Sequence, residues 1–222
     1  MRFIIIGGGG FGLELYTYIS NDIRSGVLPS NCTIGVLDDI ADCDLMTRIP
    51  GASYLGQISE FVPSEGDRAL ISIGNVADRK KMYQIAQLRQ IPFGTYIHPS
   101  AWIAPNATIG QGVIVCPNCV ISACAEVSDN VAINVFCGVG HGARVGEHSV
   151  MGPYSVINGD ASLGEGCLLG SRATLFPNVV LGKGCMVDAH TAVKASAGDF
   201  KIISVKGQYL VLDNRLAVRS LG

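Results

Sequence analysis

The chain has 222 residues and a net charge of −2, with 48% hydrophobic and 15% charged residues. The pI near 6.0 leaves no basic field for nucleic acid or for an anionic membrane surface. The apolar run at residues 3–6 is too short for a signal-peptide core, and no run approaches the roughly 18 residues that cross a bilayer. We therefore expect a cytoplasmic protein whose eight cysteines are reduced thiols.

Residues 1–97 alternate short apolar runs with amphipathic segments. Strands are predicted at residues 2–6, 33–37 and 69–73, with another near 93–97, and helices at 13–23 and 77–89. Alternating strands and helices predict a small parallel sheet with helices on its faces, a Rossmann-like α/β domain.

A glycine loop follows the first predicted strand. Gly7, Gly9 and Gly12 satisfy G-x-G-x-x-G, a pattern whose backbone N–H groups and following helix N-terminus hold phosphate oxygens. The segment is too short for both halves of a full NAD-binding domain. We therefore expect the loop to hold the nucleotide or pyrophosphate of a nucleotide-sugar. The alternative is a glycine turn that only lets strand and helix pack closely.

A hexapeptide repeat occupies the second half of the chain. From Ile103 to Val193 an aliphatic residue recurs every six positions, sixteen times without insertion, and a second column four residues behind it stays small or β-branched. Period six fits neither an α-helix nor an alternating hairpin sheet. It predicts short strands on the three walls of a triangular coil of 18 residues, with coils stacked roughly 4.8 Å apart. Glycines directly after the aliphatic column, such as Gly140 and Gly146, are expected to supply the positive φ of the corners.

These patterns divide the chain into three parts. We predict a small Rossmann-like nucleotide-sugar-binding domain at residues 1–97 and an all-β parallel β-helix at residues 98–198. Residues 199–222 are predicted to be C-terminal capping strands, at 202–205 and 209–212.

Cys116 and Cys119 spell C-x-x-C, a spacing found in redox and zinc sites. In the repeat register Cys119 belongs to the inward small column and Cys116 to a corner, so the two sulfurs should face different ways. We therefore predict no metal site.

The four histidines are His98, His141, His148 and His190. His98 lies at the junction with the repeats and is expected to be structural. His148 and His190 both fall on predicted solvent-facing corners and are expected to be incidental. His141 lies two residues after its aliphatic position; from the residues alone a structural role would normally be favoured for it, although a neutral imidazole can accept a proton near neutral pH.

The chain resembles the NeuD/PglD-like sugar acyltransferases from Phe3 to about Val193. The motifs that carry the resemblance are IIIGGGGFG at 4–12, VLDD at 36–39, ISIGN at 71–75 with Arg79-Lys80-Lys81 after it, IHPSAWIAPNATIG at 97–110, and the hexads around His141. The family includes sialic acid O-acetyltransferases and N-acetyltransferases of UDP-4-amino-sugars. The resemblance implies a left-handed β-helix, a homotrimer and acetyl-CoA as the donor.

The resemblance also implies a set of site residues. It makes His141 the general base and Gly159, one coil further on, the glycine that faces the acetyl-CoA donor. Where the family usually carries an acid directly after the base, this chain has Gly142. Asp160, stacked one coil above Gly142, is the candidate orienting partner, with Glu126 or a backbone carbonyl as alternatives. The residues implied for nucleotide-sugar binding are Gly9, Gly10, Phe11, Asp38, Asp39 and Gly74.

The leading hypothesis is thus an acetyl-CoA-dependent N-acetyltransferase of a nucleotide-linked 4-amino-sugar, acting by direct transfer with no catalytic metal and no cofactor beyond acetyl-CoA. An O-acetyltransferase of sialic acid or another free sugar is the alternative within the same class. A non-catalytic, sugar-nucleotide-binding β-helix scaffold is the alternative of another class. The residues after 201 depart from the tail usual in the family, which leaves the acyl group open.

Overall fold

The computed structural model describes residues 1–205. Its N-terminal part is a four-stranded parallel sheet in the order β3-β2-β1-β4, flanked by three helices, as predicted for a Rossmann-like arrangement. The strands are β1 at Arg2–Ile6, β2 at Thr33–Leu37, β3 at Ser53–Gly56 and β4 at Asp67–Ile71. The helices are α1 at Gly10–Arg24, α2 at Asp44–Arg48 and α3 at Val76–Leu88.

Helices cover both faces of this sheet, because side chains along a strand alternate between the faces. Phe3 and Ile5 of β1 pack in the core on the side of α1, with Leu15. Ile4 and Ile6 pack in the core on the side of α3, with residues that include Tyr83 and Ala86. The uninterrupted apolar run of β1 follows from its burial on both faces.

Three features differ from the predicted elements. The short helix α2 and the edge strand β3 were not predicted, because five and four residues carry too little periodicity to detect. The third predicted strand lies two residues earlier than expected, at Asp67–Ile71. Of the segment near residues 93–97, Phe93 makes only an isolated bridge to Ala69, while Tyr96–Ile97 pairs with the first coil of the β-helix.

The repeats form a left-handed parallel β-helix with three walls, as predicted. Each strand has two residues. Wall 1 contains Tyr96–Ile97, Ile114–Val115, Ala132–Ile133, Val150–Met151, Leu168–Leu169, Met186–Val187 and Ile202–Ile203. Wall 2 contains Trp102–Ile103, Val120–Ile121, Gly138–Val139, Val156–Ile157, Thr174–Leu175 and Ala192–Val193. Wall 3 contains Thr108–Ile109, Glu126–Val127, Arg144–Val145, Ser162–Leu163 and Val180–Leu181.

The register confirms the coil of 18 residues. Val127 pairs with Val145 and Ile133 with Met151, so residues 18 apart stack in parallel along each wall. The predicted aliphatic column fills the interior together with the small column, in which Cys119 is buried. Cys116 packs instead against the N-terminal part, so the two sulfurs of the C-x-x-C spacing lie in different cores, as predicted.

The glycines after the aliphatic column do not supply the positive φ at the corners, contrary to the prediction. Positive φ occurs two residues later, for example at Gly142 (+63°) and Phe136 (57°). The glycines are instead needed for close stacking of the coils. A Cβ at Gly140 would lie 2.6 Å from the backbone nitrogen of Gly159 in the next coil.

The N-terminal part packs on wall 1 and on the corner between walls 3 and 1, called corner 3–1 below. Ile114 of wall 1 and Cys116, at the corner that follows this strand, share a core with α1 and the sheet. At corner 3–1, the Arg79 side chain of α3 donates hydrogen bonds to the carbonyls of Gly112 and Asn130.

His148 is not on a solvent-facing corner, so that prediction was wrong. It is 6% exposed, its ring centroid lies 5.2 Å from that of Tyr83 on α3, and its Nδ1 lies 3.0 Å from Asn130 Nδ2. The repeat register places His148 on a corner, as expected, but α3 covers that corner. His190 is exposed.

The predicted strand at 202–205 is present as Ile202–Ile203, which pairs with Met186–Val187. The predicted strand at 209–212 lies outside the described residues. Within residues 1–205, every helix is too short or too polar to cross a bilayer.

Candidate active site

His141 is an exposed imidazole on the corner between walls 2 and 3, called corner 2–3 below. It follows the strand Gly138–Val139, and its ring lies directly over Gly159, one coil further on. A Cβ at residue 159 would overlap the ring, lying 2.6 Å from Nε2 and 2.9 Å from Nδ1. The structure therefore brings His141 and Gly159 into contact, and the absence of a side chain at residue 159 makes room for the imidazole.

Asp160 lies beside the same ring. Its Oδ2 is 3.7 Å from His141 Nε2, an ion-pair distance rather than a hydrogen bond, and its backbone N–H donates to the carbonyl of His141 (2.8 Å). Both side chains are largely exposed. The alternative partner Glu126 lies 3.3 Å from Arg144 Nε instead.

The Asp160 carboxylate occupies the space that a side chain at residue 142 would need. A Cβ at Gly142 would overlap the Asp160 carboxylate, so the observed position of that carboxylate requires a glycine at residue 142. The acid that the resemblance implies directly after residue 141 is absent, and the carboxylate of Asp160 from the next coil lies in that place.

A cavity of about 360 Å³ opens at the carboxyl ends of β1 and β2. Parallel α/β sheets bind ligands at this edge. Its walls include the predicted residues Asp38 and Asp39. Sequence reasoning did not predict its other polar wall residues, Asp78 and Lys81 on α3; Lys81 lies in the basic run after the ISIGN motif, which was the available signal.

Asp38 fixes the glycine loop. Its Oδ2 accepts a hydrogen bond from the N–H of Gly8 (2.6 Å) and its Oδ1 accepts one from Ile40 (2.9 Å). Part of the carboxylate's hydrogen-bonding capacity therefore holds the backbone of the site in place.

The glycines of the loop fall into two kinds. A Cβ at Gly8 would overlap Cys43 Sγ and one at Gly12 would overlap the carbonyl of Gly7, so these two are required for close packing. Positions Gly9 and Gly10 face open space at the N-terminus of α1, where free N–H groups and the helix dipole favour an anion.

Phe11 and Gly74 lie apart from the Asp38 cavity. Phe11 is half-buried and packs against the apolar core beside α1. Gly74 lines a second cleft of about 390 Å³, between the N-terminus of α3 and wall 1, together with Leu168 and Met186. Ile73, the preceding residue, lines the Asp38 cavity, so the two clefts border the same turn.

Lys80 closes one side of the second cleft. Its ammonium lies 2.5 Å from Glu165 of the β-helix, and this hydrogen bond is the main reason that the pKa of Glu165 is lowered. The pair joins α3 to corner 3–1.

A single chain does not bring the imidazole and the Asp38 cavity together. His141 lies on corner 2–3, whereas the N-terminal part packs on wall 1 and corner 3–1. The two halves of the predicted site thus lie on different sides of the prism.

Comparisons with known proteins agree with this architecture. The family model "Bacterial transferase hexapeptide (six repeats)" matches residues 94–129. No curated protein matches the chain in a sequence comparison.

Solved structures match over nearly the whole chain. The acetyltransferase domain of PglB from Neisseria gonorrhoeae FA1090 is 22% identical, with a TM-score of 0.80 and coverage of 92% of this chain and 96% of that one; it has also been solved with acetyl coenzyme A. WeeI from Acinetobacter baumannii AYE is 19% identical, with a TM-score of 0.79 and coverage of 91% and 97%. At these identities the two matches establish a common fold.

PerB from Caulobacter crescentus, solved with CoA and GDP-perosamine, is 26% identical, with a TM-score of 0.78 and coverage of 92% of this chain and 94% of that one. The resemblance inferred from the motifs is therefore confirmed: this chain carries the bacterial transferase hexapeptide repeat and is similar in fold to PerB and to the acetyltransferase domain of PglB, which are sugar acetyltransferases of the NeuD/PglD-like kind.

Proposed function

We propose that this protein transfers an acetyl group from acetyl-CoA to the amine of a nucleotide-linked amino sugar. Similarity to acetyl-CoA-dependent sugar acetyltransferases supports the acyltransferase class and the donor. Similarity to a protein solved with GDP-perosamine supports a nucleotide-linked acceptor.

One observation carries the catalytic part of the proposal: an exposed imidazole, His141, lies against a residue without a side chain, Gly159. A base that deprotonates an incoming acceptor must be accessible, and it must lie close to the backbone that binds the thioester, which the missing side chain at residue 159 permits. A histidine serving only to fill a corner would need neither, so this geometry favours an enzyme over a non-catalytic scaffold.

The chemistry is a direct transfer. The acceptor amine attacks the thioester carbonyl, and neutral His141 accepts the proton that the nitrogen loses. We assign stabilisation of the oxyanion to the backbone N–H of Gly159. The intermediate collapses as the C–S bond breaks, and His141 returns the proton to the CoA sulfur. Asp160 stabilises and orients the imidazolium in between.

The Asp38 cavity is the proposed nucleotide site. Asp38 and Asp39 offer carboxylate acceptors for hydroxyl and N–H groups of the nucleoside, and Gly9 and Gly10 at the N-terminus of α1 offer N–H donors for the pyrophosphate. Gly74 lies on the path from this cavity towards wall 1.

The site is completed between copies of the chain, in the predicted homotrimer. His141 and the Asp38 cavity of one chain lie on different sides of the prism, so the base must serve the cavity of a neighbour. Wall 2 exposes apolar side chains, with Trp102 56% and Val120 45% exposed, which supports self-association of the β-helix.

The proposal is tested by a substrate panel. Purified protein is incubated with acetyl-CoA and, separately, GDP-perosamine, a UDP-4-amino-sugar and free sialic acid, and CoA thiol release is measured. We expect thiol release with an amino-sugar nucleotide and none with sialic acid. Turnover of sialic acid alone would instead establish the O-acetyltransferase alternative, and binding without turnover of any acceptor would favour a scaffold.

A further inference from the structure

Arg79 is a fully buried charge on α3. Its side chain is 0% exposed, and within residues 1–205 it forms no ion pair. Burial lowers its pKa to about 9, so the guanidinium remains charged at neutral pH. Burying a charge without a carboxylate partner is costly unless hydrogen bonds satisfy its donors, and here backbone carbonyls take that role.

These carbonyls belong to two parts of the molecule. Nη1 donates to the carbonyls of Ile71 and, at 3.5 Å, Ile73, both in the N-terminal part. Nε donates to the carbonyl of Asn130 (2.7 Å) and Nη2 to that of Gly112 (3.5 Å), both on corner 3–1 of the β-helix. One rigid, planar group thus joins the N-terminal part to the β-helix, which a flexible lysine would do less well.

One end of this bridge lies at the turn that borders the Asp38 cavity, and the other lies on the coil that carries His141, although on a different corner of that coil. Ile73 begins the turn that contains Gly74 and borders both clefts. Asn130 contacts His148 through its side-chain amide, and these two residues, 18 positions apart, bracket the coil that carries His141. The bridge therefore fixes the position of the Gly74 turn along the axis of the prism, relative to the coil that carries His141.

We propose that Arg79 is a positioning residue for acetyl transfer: by holding the Gly74 turn level with the coil of His141, it sets where the acceptor amine meets the imidazole. Neighbouring copies around a three-fold axis parallel to the prism have their coils at the same height, so the alignment also holds for the base of a neighbour. This inference rests on the proposed function.

The position of Arg79 predicts a particular kinetic effect. Arg79 does not line the Asp38 cavity, and its one partner there is the Ile73 carbonyl at 3.5 Å, so we expect its loss to change nucleotide binding little. It does release the Gly74 turn, and a displacement of about 1 Å at the reacting atoms costs about 10²-fold in rate. We therefore expect kcat to fall while the affinity for the nucleotide stays the same.

The test compares Arg79→Met with Arg89→Met in the full-length protein. Arg89 lies at the C-terminal end of the same helix, and among the described residues its side chain donates only to the carbonyl of Phe61 (3.2 and 3.3 Å), within the N-terminal part. Steady-state kinetics use acetyl-CoA with GDP-perosamine, or with the member of the panel that the wild type turns over, and calorimetry measures the Kd of the matching nucleoside diphosphate. Arg79→Met should lower kcat about 10²-fold with Kd unchanged, and Arg89→Met should retain kcat.

A folded Arg79→Met protein with wild-type kcat would overturn the inference, as would an equal loss in Arg89→Met. If Arg79→Met does not fold, the same kinetic comparison is made with Arg79→Lys, which weakens the bridge at the guanidinium, and with His148→Phe, which removes the contact of His148 with Asn130. A wild-type kcat in these folded variants would overturn the inference.

Hydrogen exchange gives a readout that is independent of activity. Amides in the first turn of α3 and at residues 112 and 130 should exchange faster in the Arg79 variant, but not in Arg89→Met. Unchanged exchange would reject the bridge. A wild-type protein inactive with the whole panel would instead reject the proposed function, while this comparison still decides the bridge.

Discussion

The contact between His141 and Gly159 is a consequence of the 18-residue period. Two residues one coil apart on the same corner must stack, so the sequence predicts their contact once the repeat is recognised. The reason for a glycine at residue 142 could not be deduced from the sequence. Only the structure shows that the Asp160 carboxylate fills the space that a side chain at residue 142 would need.

Asp160→Asn tests whether the carboxylate orients the imidazole. We expect kcat to fall, by less than the about 10²-fold of losing the base itself, and the pH dependence of kcat to change, because a neutral amide no longer stabilises the imidazolium. Asp188→Asn, an exposed carboxylate beside wall 1, is the matched control. A pH–rate profile identical to the wild type would exclude the orienting role.

At the scale of elements, helix α3 decides the environment of corner 3–1. The hexad pattern describes the β-helix alone, so it predicted His148 to be solvent-facing. The helix that buries His148 lies some 60 residues earlier in the chain, and no local pattern connects the two. Local periodicity therefore predicted nearly every strand of the β-helix, but not the surface against which the N-terminal part packs.

His148 makes stability depend on pH. Burial lowers its pKa, the nearby cations Lys80 and Arg79 lower it further, and Glu147 and Glu165 oppose them; Tyr83 and Asn130 are the neutral groups in contact. The pKa of this histidine in the unfolded chain is about 6.5. As the pH decreases below that value, the unfolded chain binds a proton that the folded protein does not, so stability decreases until the pH drops below the pKa of His148 in the folded protein.

Urea unfolding between about pH 7 and pH 5 should show this loss in the wild type. The His148→Phe variant, which cannot titrate, should show a smaller loss, whereas His190→Phe at an exposed position should behave as the wild type does. An equal slope in His148→Phe and the wild type would contradict the assignment.

At the scale of the whole molecule, the two halves of the proposed site lie on separate parts of the chain. The N-terminal sheet carries the proposed nucleotide cavity and the prism carries the proposed base, His141, with the two on different sides of the prism. The sequence predicted both halves from separate motifs, a glycine loop with Asp38 and a hexad with His141. Their relative placement follows from long-range packing through Arg79, Ile114 and Cys116; Arg79 belongs to one of the motifs, but the motif does not show what its side chain contacts.

The most direct test of His141 as the base is CoA thiol release by His141→Ala at saturating acetyl-CoA and nucleotide amino sugar. The wild type and His190→Ala, a variant of an exposed histidine, are measured beside it as controls. We predict that His141→Ala keeps its fold and loses at least about 10²-fold in kcat, with His190→Ala unaffected. Turnover by His141→Ala close to that of the wild type would contradict the assignment of His141 as the base.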